Sequence, residues 1–300
     1  MDGVIVIDKP AGPTSAEIVR RLKARLPNRT RVGHLGTLDP FATGVLPILI
    51  GQATRLALFL QEGTREYEGL ILLGSETDTL DATGEVSRIA PVPSLDTSKL
   101  AALTKRFTGT IEQQPPIFSA IKRAGVPLYK LARRGVQVEP PGPRRVEIQR
   151  LELTRTGEDA IRFTVLCSSG MYVRSMARDI GIALGTAAHV SELRRVRSGP
   201  FSIADARSLD EVIIALEQGA DPGSISMRAA LPNLPEAVIE PSLERRLRHG
   251  DSRALDHLGP EGASLFKVIS RGKLLAIARS TSPLTAVIVR VFGIEDAHSE

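Results

Sequence analysis

The 300-residue chain contains one cysteine, no tryptophan and only three tyrosines. A single thiol, Cys167, excludes an internal disulfide and any metal cluster built on cysteines. Its place at the end of the alternating run Ile161, Phe163, Val165 predicts a small buried hydrophobe. No apolar stretch approaches the ~18 residues that a membrane span needs. The first residues carry Asp2 and Asp8 around a short apolar strand and lack a basic segment, so no signal peptide is expected. These absences point to a protein of the reducing cytoplasm with no membrane partner. The five histidines (34, 189, 249, 257, 298) show no ligand spacing with acidic residues. Asp78 and Asp81 lack the alternating oxygen ligands of a calcium loop. Neither Gly-x-x-x-x-Gly-Lys-Ser/Thr nor Gly-x-Gly-x-x-Gly occurs. No metal and no nucleotide cofactor are therefore expected.

What the chain does have is positive charge in clusters. The net charge is +5, but residues 105–155 alone hold eleven Lys or Arg against four Glu, a local +7. Residues 17–31 hold six Lys or Arg against Glu17, and Arg194-Arg195-Val196-Arg197 forms a third group. Three basic clusters far apart in sequence favour a polyanionic partner, whose phosphates would dominate affinity.

The most informative stretch is residues 31–51, RVGHLGTLDPFATGVLPILIG. Asp39 stands in a Gly-rich loop directly before an apolar run that must be core. A lone carboxylate on a rigid turn against a hydrophobic wall suits a nucleophile, although an Asp before Pro40 can also serve as a turn cap. Gly33, Gly36 and Gly44 allow close approach of a ligand or another backbone. His34 adds a flat polar ring to the same loop.

The string Gly33–Pro47 resembles the catalytic motif of the TruB family of tRNA pseudouridine synthases. Four further blocks follow that family's order: Gly3–Pro10, Arg65–Tyr67 with Gly74–Gly84, Pro115–Lys122, and Ser169–Ser175. The resemblance spans residues 3–197 and is weak in the C-terminal third. It implies isomerisation of uridine 55 to pseudouridine in the T-arm of tRNA, with Asp39 as nucleophile and Arg174 as the partner that orients it. It further implies that Tyr67 stacks on the flipped-out uracil, Tyr172 lines the pocket, His34 packs against the extruded nucleotide and Leu193 forms an apolar wall. Lys9 and Lys122 are candidate phosphate contacts, each equally readable as a surface lysine. The expected partner is tRNA, bound by a monomer with no obligate protein partner. Two alternatives stay open: a guide-RNA-dependent synthase, and an RNA-folding chaperone that needs the basic surface but not Asp39.

Long β segments interleaved with helices, without a regular βαβ period, predict an α+β fold rather than a doubly wound one, and the resemblance implies a mixed or antiparallel sheet. Thr14-Ser15-Ala16-Glu17 reads as a helix start, with Ile18, Leu22 and Leu26 at helical spacing up to Pro27. Residues 67–73, 145–153 and 161–166 read as strands, the second with a phase slip between Ile148 and Leu151. Helices are predicted over Asp96–Phe107, 175–184 and Ala187–Val196. The catalytic domain is expected over residues 1–232, with the basic segment 109–145 as an insertion that the resemblance likens to a thumb closing on RNA. Residues 236–293 read as a small β-rich domain with strands at 263–268, 274–279 and 285–291, similar to a PUA-type RNA-binding module. Residues 294–300 read as a polar tail.

Overall fold

The computed structural model describes residues 1–119, 121–123, 125–128, 139, 141–262, 264–282 and 284–293. Its frame is a mixed eleven-stranded sheet whose main path runs Arg207–Ser208, Gly3–Lys9, Thr43–Ile50, Ala188–Ser198, Arg65–Leu73, Ala160–Cys167, Arg144–Arg155, Gly109–Gln113. All neighbours on this path are antiparallel except the pairs made by Arg207–Ser208 with Gly3–Lys9 and by Thr43–Ile50 with Ala188–Ser198. The strands Gly3–Lys9 and Thr43–Ile50 are buried on both faces, which is why they read as continuous apolar runs. Their side chains alternate: Ile5, Ile7, Leu46 and Ile48 enter the core on one face, Val4, Val6, Val45 and Leu49 the core on the other.

Four helices cover the first face. Thr14 caps Ser15–Lys23 by accepting the Glu17 N–H at 3.1 Å, and Ile18 and Leu22 are its buried stripe. Asp96 caps Thr97–Phe107, as the sequence predicts. The helix Val173–Ala183 packs through Met176, Ala177 and Ile180, and Leu209–Glu217 through Leu209 and Val212. The predicted slip in the Arg144–Arg155 strand is a bulge between Ile148 and Arg150.

Two expectations need correction. Ala187–Val196 is not a helix: Ala188–Ser198 is a central strand, paired with Arg65–Leu73 on one side and Thr43–Ile50 on the other. The segment 109–145 is not an insertion from end to end. Gly109–Gln113 pairs with Arg144–Ile148 as the sheet's edge, so the excursion starts after Gln113. Much of it, including most of 129–140, lies outside the described residues, as does the polar tail 294–300.

The C-terminal four-stranded sheet, Glu236–Val238, Leu265–Ser270, Lys273–Ser282 and Thr285–Val291, contains the three predicted strands and one more. It does not hang on a linker. Ile269, Leu274, Ile277 and Phe292 share a core with Val4, Val6, Leu49 and Leu56 of the main sheet's second face.

Candidate active site

The Asp39 loop is clamped from several sides through its main-chain carbonyls. Ser15 Oγ donates to Leu38 O (3.1 Å) and accepts from Leu38 N (2.9 Å). Gly12 N donates to Pro40 O at 2.8 Å. Lys9 Nζ, on the last residue of the first strand, donates to Pro40 O (3.1 Å) and Ala42 O (2.7 Å). Arg195 donates from Nη2 to Gly36 O at 3.0 Å. Leu38 and Ala42 are buried on either side of Asp39, so the carboxylate projects from an anchored turn. Gly44 follows at φ +101°, where the strand passes so close to Arg195 that a Cβ would collide with its backbone.

Asp39 shares a cleft of about 420 Å³ with Tyr67, Tyr172, Arg174 and Leu193, all named from the sequence. Arg174 Nε lies 2.9 Å from Asp39 Oδ2, and Nη1 lies 3.4 Å from Asp81 Oδ2. The same guanidinium donates to Thr79 O at 2.8 Å and to Phe118 O at 2.9 Å, so it is buried yet fully engaged. About a third of the Asp39 side chain faces the cleft, and protein atoms crowd the rest. That burial pushes its pKa up, Arg174 pulls it back down, and the neighbouring Asp81 pushes it up again.

Tyr172 stands at the N-terminal end of the Val173–Ala183 helix, clasped by Gln113. That amide donates to Tyr172 O (3.0 Å) and accepts from Tyr172 N (2.8 Å). Arg144 lies over the Tyr172 ring at 5.2 Å. Tyr67 and Leu193 come from adjacent central strands, whose register places Leu193 opposite Gly69.

Two further expectations do not hold. Lys9 is not a phosphate contact: it is fully buried, and its ammonium is held by the carbonyls of Pro10, Pro40 and Ala42. Arg194–Arg197 is not a free basic cluster. Arg194 pairs with Asp8 (2.8 Å), Arg197 with Glu66 (3.6 Å), and Arg195 is interior. His34 lies on the short strand Val32–His34, outside the cleft lining; burial and the Arg195 charge lower its pKa, and its buried Nδ1 has no partner among the described residues. The Lys122 side chain lies outside the described residues. The cleft also holds residues that sequence reasoning passed over: Arg65, Arg195 and Ser119, whose buried Oγ lacks a partner among the described residues. Asp81 is the other omission, read only as a rejected metal ligand.

A carboxylate on an anchored turn, a guanidinium paired with it and two tyrosines thus share one cleft of an α+β fold. The chain belongs to the TruB family of pseudouridylate synthases: its residues 23–173 match the N-terminal domain of that family and 174–238 the tRNA pseudouridylate synthase B C-terminal domain. It is 41% identical over 290 residues to a tRNA pseudouridine synthase B from Geotalea uraniireducens, covering 94% of this chain and 93% of that one. It is 42% identical over 258 residues to the protein of that name from Geobacillus thermodenitrificans, covering 83% and 85%. Among solved structures, an H/ACA RNP bound to a substrate RNA containing 2'-deoxyuridine holds a chain that superposes with a TM-score of 0.72. That chain is 27% identical, with 98% of this chain and 86% of the other covered. The boundary between the two family domains falls between Val173 and Arg174, inside the helix Val173–Ala183.

Proposed function

We propose that this chain isomerises uridine 55 in the T-arm of tRNA to pseudouridine, with Asp39 as the nucleophile on a flipped-out base and Arg174 as the group that orients it. The observation that carries this reading is the 2.9 Å Asp39–Arg174 pair in the lining of the cleft. The reaction breaks the N1–C1′ bond, makes a C5–C1′ bond, and moves a proton from C5 to N1. It is redox-neutral and needs no external energy, so a charged carboxylate in a shaped pocket can suffice. A base inside a stem-loop must leave its stack to reach Asp39. Tyr67 offers it a stacking face, with Tyr172 and Leu193 as walls. His34, outside the cleft lining, packs against the extruded nucleotide, and the C-terminal sheet adds RNA contacts of its own.

The higher identity to the synthase B relatives than to the chain from the H/ACA particle supports an enzyme that works on tRNA unaided by a guide. The test is direct. Purified protein is incubated with an unmodified tRNA transcript and the product is mapped for pseudouridine. One new pseudouridine in the T-loop is expected; none, or one elsewhere, would overturn the proposal.

A further inference from the structure

Two arginines of the cleft have no carboxylate partner among the described residues, although both are buried: Arg195 is 1% exposed and Arg65 6%. Their neighbours Arg194 and Arg197 are paired, which makes the contrast informative. Arg195 spends Nε on Val45 O (2.8 Å) and Nη2 on Gly36 O (3.0 Å), while its Nη1 reaches only Thr37 O at 3.5 Å. Arg65 spends Nη1 on the carbonyls of Gly63 (2.6 Å) and Thr64 (3.0 Å), and Nη2 reaches Gln61 O at 3.4 Å. Its Nε donates to no protein acceptor among the described residues. The weakly used donors converge on one point. A Cβ on Gly36 would lie 3.4 Å from Arg195 Nη1 and 3.7 and 3.8 Å from Arg65 Nη2 and Nε. Gly36 is itself exposed, with φ +76°, so this point is open to a ligand and a side chain there would obstruct it.

Holding two guanidiniums together in the interior without an anion is costly, and the pKa of Arg65 is pulled down by burial and by Arg195. An arriving anion would relieve both effects. Planar forks of N–H donors match the oxygens of a phosphate. Gly36 is three residues from Asp39, hence within about 11 Å of it, a span one nucleotide can bridge. We propose that Arg65, Arg195 and the open face of Gly36 form a phosphate subsite that grips a backbone phosphodiester flanking the extruded uridine. The assignment rests on the proposed action on RNA.

The test uses T-arm stem-loops in which one phosphate flanking the target uridine, on either side in turn, is replaced by a neutral methylphosphonate. Binding to the full-length protein is measured for wild type, Arg65→Gln and Arg65→Lys. One of the two replacements should weaken wild-type binding roughly tenfold or more, with a salt slope shallower by about 1. Arg65→Gln should bind the unsubstituted RNA with a similar loss and be insensitive to that replacement, with Arg65→Lys in between. Undiminished wild-type binding at both positions would overturn the subsite, whatever the variants do, because the chemical change is on the RNA. Independent, additive losses would overturn it too. Pseudouridine formation in the unsubstituted stem-loop is read in parallel. If it forms without the coupling, the subsite alone is rejected; if it does not form, the proposed activity falls separately.

Discussion

Arg174 reaches Asp81 with the same guanidinium that holds Asp39, at 3.4 Å and 2.9 Å respectively. Asp81 is in turn fixed through Oδ1, which accepts from Thr79 Oγ1 (2.8 Å), Thr83 N (3.0 Å) and Thr83 Oγ1 (2.6 Å). An acid–base–acid chain thus runs from Asp39 in the cleft through Arg174 to the buried Asp81.

Asp81→Asn keeps the Oδ1 contacts and turns the other oxygen into a donor facing Arg174. Turnover should fall by roughly a hundredfold, the scale of a 1 Å misplacement, while tRNA affinity holds. The pH profile adds a sign. Asp39 has a raised pKa and, as the proposed nucleophile, would have to be ionised to attack, so activity should be lost as pH falls through that raised value. Asp81 is one of the groups raising it. Removing its charge should therefore move the acid limb to lower pH, provided Thr79 and Phe118 still hold Arg174. A limb that moves up would show that Asp81 is needed to keep Arg174 in place.

Lys9 gives a stability prediction with a defined window. Burial lowers its pKa from 10.5 to about 8 in the folded protein. Between about 8 and 10.5 the unfolded chain holds a proton that the folded chain has released, so this group makes stability rise with pH across that range. Below about 8 its full cost is present. Lys9→Met should abolish the rise and, by leaving the Pro40 and Ala42 carbonyls without their donor, lower stability by about 1–3 kcal/mol. Urea unfolding of both proteins at pH 7 and 9 measures this. An unchanged pH slope in the variant would contradict it.

Much of this architecture is legible in the sequence. The Thr14 and Asp96 caps, the bulge after Ile148 and the buried Cys167 follow from local rules, and the motif blocks bring Asp39, Tyr67, Tyr172 and Arg174 to one cleft. Ala188–Ser198 is the clearest loss. Ala, Glu, Leu and Arg there favour a helix, but the segment fills a gap between two strands, and ladder pairing on both sides overrides propensity. Arg195 and Lys9 were illegible for a related reason. A basic side chain reads as solvated until the fold supplies the carbonyls that hold it inside. Asp81 needed the tertiary contact with Arg174 to acquire a role.

Tyr67→Leu should lose most activity, at about 1–3 kcal/mol for a lost stacking partner, whereas Tyr67→Phe should keep much of it. Single-turnover rates on the stem-loop distinguish the two. A Phe variant as inactive as the Leu variant would show that the hydroxyl carries part of the chemistry.

Cys167 is fully buried and its thiol is pushed up to about 12. The folded protein should resist alkylation by iodoacetamide at pH 8 and react once unfolded in urea, as followed by mass spectrometry. Rapid labelling of the native protein would contradict the packing described for the Ala160–Cys167 strand.

The central claim is that Asp39 is the nucleophile and that binding rests elsewhere. Asp39→Asn in excess over unmodified tRNA, assayed in a single turnover, tests it most directly. The account predicts tRNA binding within a few-fold of wild type and no pseudouridine formed. Pseudouridine formed by the Asn variant at a rate near that of wild type would contradict it.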